Sequence, residues 1–241
     1  MSTPTFGPAL LAELVREIQQ AGYEFVRFDR PCTAPKCLYL RWDVDISPAG
    51  ALQAGELLHQ HSVAANFFFQ FNAETYSGLS RPVLDGIDRL RGLGHAVGLH
   101  FDQELLGDDE EILSYTLDWF DRCCRKIDRM VSFHRPAPSV LSRDYRRFLS
   151  TYSSQFFDPE RYLSDSRRSL DFRPRLSQWL AQGRTPLQLL LHPEWWEPFD
   201  NATAIWKHLQ QRRQAELKAY VLKAFAKVFT PVLEHLKEEE P

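Results

Sequence analysis

Two periods of hydrophobicity take turns along this chain. Stretches with apolar residues three or four positions apart predict amphipathic helices near residues 8–21, 48–60, 81–92, 109–128, 142–151, 172–182 and 201–236. Short apolar runs between them predict strands near residues 37–44, 65–71, 95–101, 130–135, 155–158 and 187–192. Such alternation argues for parallel strands covered by helices, so the chain is read as an α/β protein, either a doubly wound sheet or an α/β barrel. In both architectures ligands gather at the carboxyl ends of the strands.

A strand sends alternate residues to opposite faces, so parity sorts the polar residues within each run. In the first long strand Leu38, Leu40, Trp42 and Val44 share one face, and Tyr39, Arg41, Asp43 and Asp45 share the other. In "HAVGLHFD" the bulky Val97, Leu99 and Phe101 oppose Ala96, Gly98, His100 and Asp102. Val131 and Phe133 oppose Ser132 and His134, and Leu187, Leu189 and Leu191 oppose Gln188, Leu190 and His192. In "NFFFQFN" Asn66, Gln70 and Asn72 oppose Phe67, Phe69 and Phe71. Asp or His thus stands near the carboxyl end of four segments, away from the apolar set. Two aspartates and three histidines converging from separate strands match the ligands that zinc or a similar divalent ion takes. His59, His61, His95, His208 and His235 are read as surface residues.

Length and composition narrow the picture. The chain has 241 residues, enough for one sizeable core. No glycine- or serine-rich linker divides it, so residues 1–241 are taken as a single domain, with 201–241 a helical extension. The extension carries an apolar stripe, which either closes the open side of a barrel or forms a homodimer contact. Pro231 is expected to kink or end its first part. A formal charge of −3, from 29 basic and 32 acidic residues, does not give the broad positive footprint of a nucleic-acid binder. The first residues show no basic start followed by an apolar stretch, and no segment is apolar enough to span a bilayer, so a cytoplasmic setting is expected. Four cysteines are too few for a disulfide scaffold of this size, and Cys32, Cys37, Cys123 and Cys124 are expected as reduced thiols.

Five short segments, in order, resemble the motifs of the polysaccharide deacetylase (NodB-homology) superfamily, in the branch where one residue separates the first two aspartates. They are "LRWDVD", "GHAVGLHFD", "FHRPA", "YLSDS" and "LLLHPEWW", and the similarity runs from about Tyr23 to Trp196. The resemblance implies a distorted α/β barrel, often seven-stranded, and metal-dependent removal of an acyl group from an amide, typically of an N-acetyl sugar. Carried over residue by residue, Asp43 matches the catalytic base and Asp45 the metal-binding aspartate. His100 matches the first metal-binding histidine and His192 the histidine that protonates the leaving group. Arg135 lies near the family's arginine that hydrogen-bonds the base.

One departure concerns the metal. The common pattern places a second histidine four residues after the first, where this chain has Glu104. Glu104, Asp102 or His134 could complete the site; His134 is favoured, because parity turns it to the same face and the branch resembled carries a histidine in that motif. Asp165 is read as a partner of a sugar hydroxyl, as a residue orienting His192, or as a turn former. Trp195 and Trp196 either stack on a sugar or pack a loop. An intracellular saccharide precursor, such as a nucleotide sugar used in surface-polysaccharide synthesis, is the expected substrate. Hydrolysis of another amide or formamide is an alternative. So is a non-catalytic sugar-binding or assembly role, which Glu104 in place of the histidine would suit.

Overall fold

The computed structural model describes residues 5–199 and 201–238, with side chains up to Glu234, so the expectation for His235 lies outside the described side chains. Residues up to Pro198 form one compact unit and those from Phe199 onward a second.

In the first unit the expected alternation is present. Its helices are α1 (Pro8–Gln20), α2 (Pro48–Gln60), α3 (Arg81–Gly92), the one-turn α4 (Gln103–Leu106), α5 (Glu110–Cys123) and α6 (Phe172–Ala181). Its strands are β1 (Glu24–Phe25), β2 (Cys37–Val44), β3 (Asn66–Phe69), β4 (Ala96–Asp102), β5 (Met130–His134), β6 (Leu149–Ser150), β7 (Tyr162–Ser164) and β8 (Leu187–Leu191). All pairings are parallel. Seven strands follow the order β6-β5-β4-β3-β2-β8-β7, with β1 also beside β2. The sheet curls into a half-barrel: among the described residues its pairing ends at β6 on one side and β7 on the other.

Parity holds in the packing. Leu38, Leu40, Trp42 and Val44 join Phe67, Phe69, Val97, Leu99, Val131, Phe133, Leu187, Leu189 and Leu191 in the main apolar core. The opposite face holds a smaller cluster of Phe28, Tyr39, Phe68, Ala96 and Met130. A side chain at Gly98 would meet the Met130 carbonyl oxygen at 2.3 Å and the Phe68 ring at 2.9 Å, so only glycine fits there. Every residue of β2 is buried, as expected of a parallel strand covered on both faces. The chain then turns into α2 within three residues, because Ser47 caps the helix through Gly50 N–H (3.0 Å) and Pro48 begins it. That abrupt turn leaves Asp45 at the strand's end.

Several expectations fail locally. The helix predicted over 142–151 is absent. Its apolar spacing has another use, since Tyr145 and Phe148 stack at 4.5 Å while the backbone N–H groups of Arg146 and Arg147 bond to Glu110 Oε1 (2.5 and 2.7 Å). The strand predicted over 155–158 is a turn, with Phe156 and Phe157 N–H groups bonded back to Ser153; β7 takes its place beside β8. His95 is buried, not on the surface: its Nδ1 accepts from Ala65 N–H (3.1 Å) and its Nε2 faces the Gly55 carbonyl (2.9 Å). Cys32 and Cys37 are not reduced thiols. The loop entering β2 brings their Cα atoms to 6.1 Å and they form a disulfide, leaving Cys123 and Cys124 free.

The second unit contains α7 (Ala202–Ala224), started by Asn201 Oδ1 on Ala204 N–H (2.9 Å), and α8 (Ala226–Glu238). The break falls at Phe225, not at Pro231, which sits inside α8. The Phe225 carbonyl already accepts from Val228 and Phe229, so the new helix is under way before the proline. Among the described residues no helix is long and apolar enough to cross a membrane.

Candidate metal and active site

The carboxyl ends of β2, β4, β5 and β8 bring four predicted residues together. Asp45 follows β2, His100 lies in β4, His134 ends β5 and His192 follows β8. The β4/β5 register sets His100 beside Ser132 and Asp102 beside His134, and the β2/β8 register pairs Trp42 with Leu191, one residue before Asp43 and His192. Asp45 Oδ1 is 3.1 Å from His100 Nε2 and 3.3 Å from His134 Nδ1; its Oδ2 is 3.8 Å from His192 Nε2. The two imidazoles of His100 and His134 stand at right angles, 5.4 Å apart. Gln70 Nε2, 3.4 Å from Asp45 Oδ1, and Thr75 Oγ1, which donates to the Asp45 carbonyl (2.5 Å), hold this turn in place.

These contacts set the charges. Burial works against the Asp45 carboxylate, but the His100 and His134 imidazoles beside it outweigh it and hold its pKa far below the usual range. The His134 pKa rises, chiefly through its bond to Asp45. Burial opposes charge on His192, yet the Asp165 carboxylate at 2.6 Å from Nδ1 overcomes it, and the pKa is pushed up to about 9. Asp165 is fully buried and also accepts from His192 N–H (3.0 Å) and Trp196 Nε1 (2.7 Å). It therefore orients His192 and is not a free turn residue.

Asp43 lies deeper, 2 % exposed. Its Oδ1 accepts from Arg41 Nε (2.9 Å) and Ser132 Oγ (3.1 Å), and its Oδ2 from Arg41 Nη2 (2.5 Å). Burial again opposes ionisation, and the Arg41 guanidinium overrides it, lowering the Asp43 pKa. Arg41 is itself buried, bonded to Tyr152 OH (3.1 Å) and Gln188 Oε1 (3.3 Å) and stacked 4.6 Å from the centre of the Tyr152 ring.

Asp45, His100 and His134 each offer one ligand atom, all within 4.8 Å of one another. One carboxylate oxygen with two imidazole nitrogens is a donor set that a divalent ion of zinc's type accepts, and three protein ligands leave room for more. The residues therefore fit a metal.

The other predicted residues fall elsewhere. Glu104 is exposed and outside the donor group. Asp102 is spent capping α4 through Glu104 N–H (2.9 Å). Arg135 is exposed, in the left-handed region at φ 48°, and the guanidinium on Asp43 is that of Arg41. Trp196 is buried edge-on to Phe6 and Trp42 with its N–H on Asp165, so it packs the wall and offers no stacking face; Trp195 is half-buried. Residues not singled out from the sequence include Arg41 and Ser132, both on the polar parity face, and Glu194. Glu194 is 2 % exposed, with an unpartnered Oε2. Burial, followed by the Asp45 charge, pushes its pKa up to about 8.

No family model and no curated protein matches the chain. Three solved structures are similar. A family 4 carbohydrate esterase from Bacillus anthracis is 17% identical with a TM-score of 0.40, covering 85% of this chain and 86% of that one. A Bdellovibrio bacteriovorus peptidoglycan deacetylase is 16% identical with a TM-score of 0.42, and the match covers 80% of this chain and 53% of that one. A Bordetella bronchiseptica protein, provisionally described as a polysaccharide deacetylase involved in O-antigen biosynthesis, is 16% identical with a TM-score of 0.40, covering 80% and 99%.

Proposed function

We propose that this chain is a metal-dependent hydrolase that removes an acyl group, typically acetyl, from the amide of an N-acylated sugar or nucleotide sugar. The observation that carries the reading is the convergence of Asp45, His100 and His134 beside a histidine braced by a buried carboxylate. Residues 23–196 form the catalytic core in this reading, and 201–241 an extension.

Asp45, His100 and His134 would hold the divalent ion, zinc by donor chemistry. When bound, such an ion supplies Lewis acidity to the acyl carbonyl and to an attacking water. The chain's own groups move the protons. A carboxylate has about four lone-pair positions, and three of Asp43's are taken by Arg41 and Ser132. The fourth, on Oδ2, accepts the proton of the attacking water. Water oxygen joins the acyl carbon, the carbon–nitrogen bond breaks, and His192 Nε2 gives its proton to the departing nitrogen. Acetate and a free amino sugar leave. Asp165 holds His192 as the charged donor, with Nδ1 fixed at 2.6 Å and Nε2 turned to the site.

The test is acetate release from N-acetylated sugars and nucleotide sugars after chelation and after zinc is restored. Activity lost with the metal and regained with zinc is expected. Absence of activity in every metal state, with Asp43→Asn matching the wild type, refutes the reading.

A further inference from the structure

Ser132 lies between Asp43 and His100 and takes no part in the proposed proton transfers. It is fully buried in β5, opposite His100 in the register. Its Oγ is 2.6 Å from His100 Nδ1 and 3.1 Å from Asp43 Oδ1. A hydroxyl has one proton to give. Asp43 takes two hydrogen bonds from the buried Arg41 guanidinium, at 2.9 and 2.5 Å, which hold it as a carboxylate. A carboxylate only accepts, so the serine proton goes to Asp43 Oδ1. The contact at 2.6 Å then needs its proton from the ring, and His100 Nδ1–H is the donor. In the neutral ring this leaves a lone pair on Nε2, which faces Asp45 Oδ1 at 3.1 Å. Two lone pairs at that distance repel unless a cation or a proton lies between them.

We propose that Arg41 and Ser132 are positioning residues: through Asp43 Oδ1 they fix His100 as its Nδ1–H tautomer and so keep Nε2 free to bind a divalent cation. The two oxygens of Asp43 thereby divide their duties, Oδ1 setting the ligand and Oδ2 handling the reaction's proton. Arg41 cannot drift from this arrangement, because Tyr152 OH, Gln188 Oε1 and the Tyr152 ring hold the rest of its guanidinium. The proposal rests on Asp45, His100 and His134 being the metal-holding group.

The test reads tautomer and affinity separately, on the full chain. In metal-free protein with ¹⁵N-labelled histidine, at a pH where the His100 ring is neutral, the nitrogen shifts should report Nδ1–H and bare Nε2. Ser132→Ala should lose that bias and Ser132→Thr, which keeps the hydroxyl, should retain it. Titrated with zinc alone by calorimetry, Ser132→Ala should bind about 10- to 100-fold more weakly than the wild type, the usual cost of losing an outer partner of a metal-binding histidine. A wild-type ring protonated on Nε2 overturns the proposal, and so does unchanged zinc affinity in Ser132→Ala. The wild-type tautomer needs no variant, so a poorly folded alanine protein leaves the test intact. An Nδ1–H ring in a wild type that binds no zinc supports the tautomer assignment and refutes the metal reading.

Discussion

Asp165→Asn tests the link between burial and chemistry most directly. In the native site Oδ1 of Asp165 accepts from His192 Nδ1, while Oδ2 accepts from His192 N–H and Trp196 Nε1. Asparagine has the same shape but only one accepting atom. Its oxygen keeps two partners if it takes the Oδ2 position, which turns the amide NH₂ toward Nδ1. His192 Nδ1 must then accept, so the ring loses its charge and its proton shifts to Nε2. A midpoint of about 9 against the ordinary 6.5 corresponds to about 3 kcal/mol of preference for the charged ring. His192 is only 13% exposed, so solvent screens little of this. Because the folded pKa is raised, this stability is fully present below 6.5 and is lost as pH rises through about 9. Metal-free wild type should therefore lose about 3 kcal/mol in urea unfolding across that window, and Asp165→Asn should be nearly flat. NMR titration should show the His192 midpoint falling by more than about one pH unit, and deacetylation should slow by about 10²- to 10⁴-fold. A midpoint within about half a pH unit of wild type, with the same stability slope, would show that Asp165 does not control His192.

Three other outcomes are expected. His134→Gln should weaken zinc binding by more than the about 10- to 100-fold cost of losing an outer partner, while Glu104→Gln should leave calorimetric affinity unchanged; the reverse result would make Glu104 the third ligand. Burial lowers the His95 pKa, so the stability it contributes is present above 6.5 and lost as pH falls; His95→Gln should remove part of the acid-side decline in urea unfolding between about pH 7 and 5, and an identical decline sinks the assignment. Thiol titration of unfolded, unreduced protein should find only Cys123 and Cys124, and Cys32→Ser with Cys37→Ser should cost about 2 kcal/mol for so short a loop. Four reactive thiols before reduction would restore the expectation that all four cysteines are reduced.

The fold was legible where burial and period agree. β2, β4, β5 and β8 are buried throughout or nearly so, and their alternation sorts core residues from site residues without reference to their neighbours. The helix expected over 142–151 and the strand expected over 155–158 fail because their apolar spacing is met by ring stacking and turns, and because β6 and β7 are too short to carry a period. Strands of two or three residues exist through their partners in the sheet. The Cys32–Cys37 pairing escaped for a similar reason: composition weighs the chain as a whole, whereas a disulfide depends on one local approach of two Cα atoms.

The site shows the same boundary more sharply. Asp43, Asp45, His100, His134 and His192 could be found because each is a chemically conspicuous residue at a strand end, on one parity face. Arg41 shares that face, but an arginine two residues before an aspartate in a strand reads as an ordinary charge until its burial is known. Once it is fully enclosed, the charge must be matched, and the nearest same-face carboxylate is the one two residues on. The guanidinium that hydrogen-bonds Asp43 is thus the one parity places beneath it, Arg41, and not that of Arg135. Period-two geometry, applied to the cation as well as to the anions, would have found it. Glu194 had no such signal. It lies in a short 3₁₀ turn, where no sequence period marks the buried side, and only the enclosing structure separates it from an exposed acid.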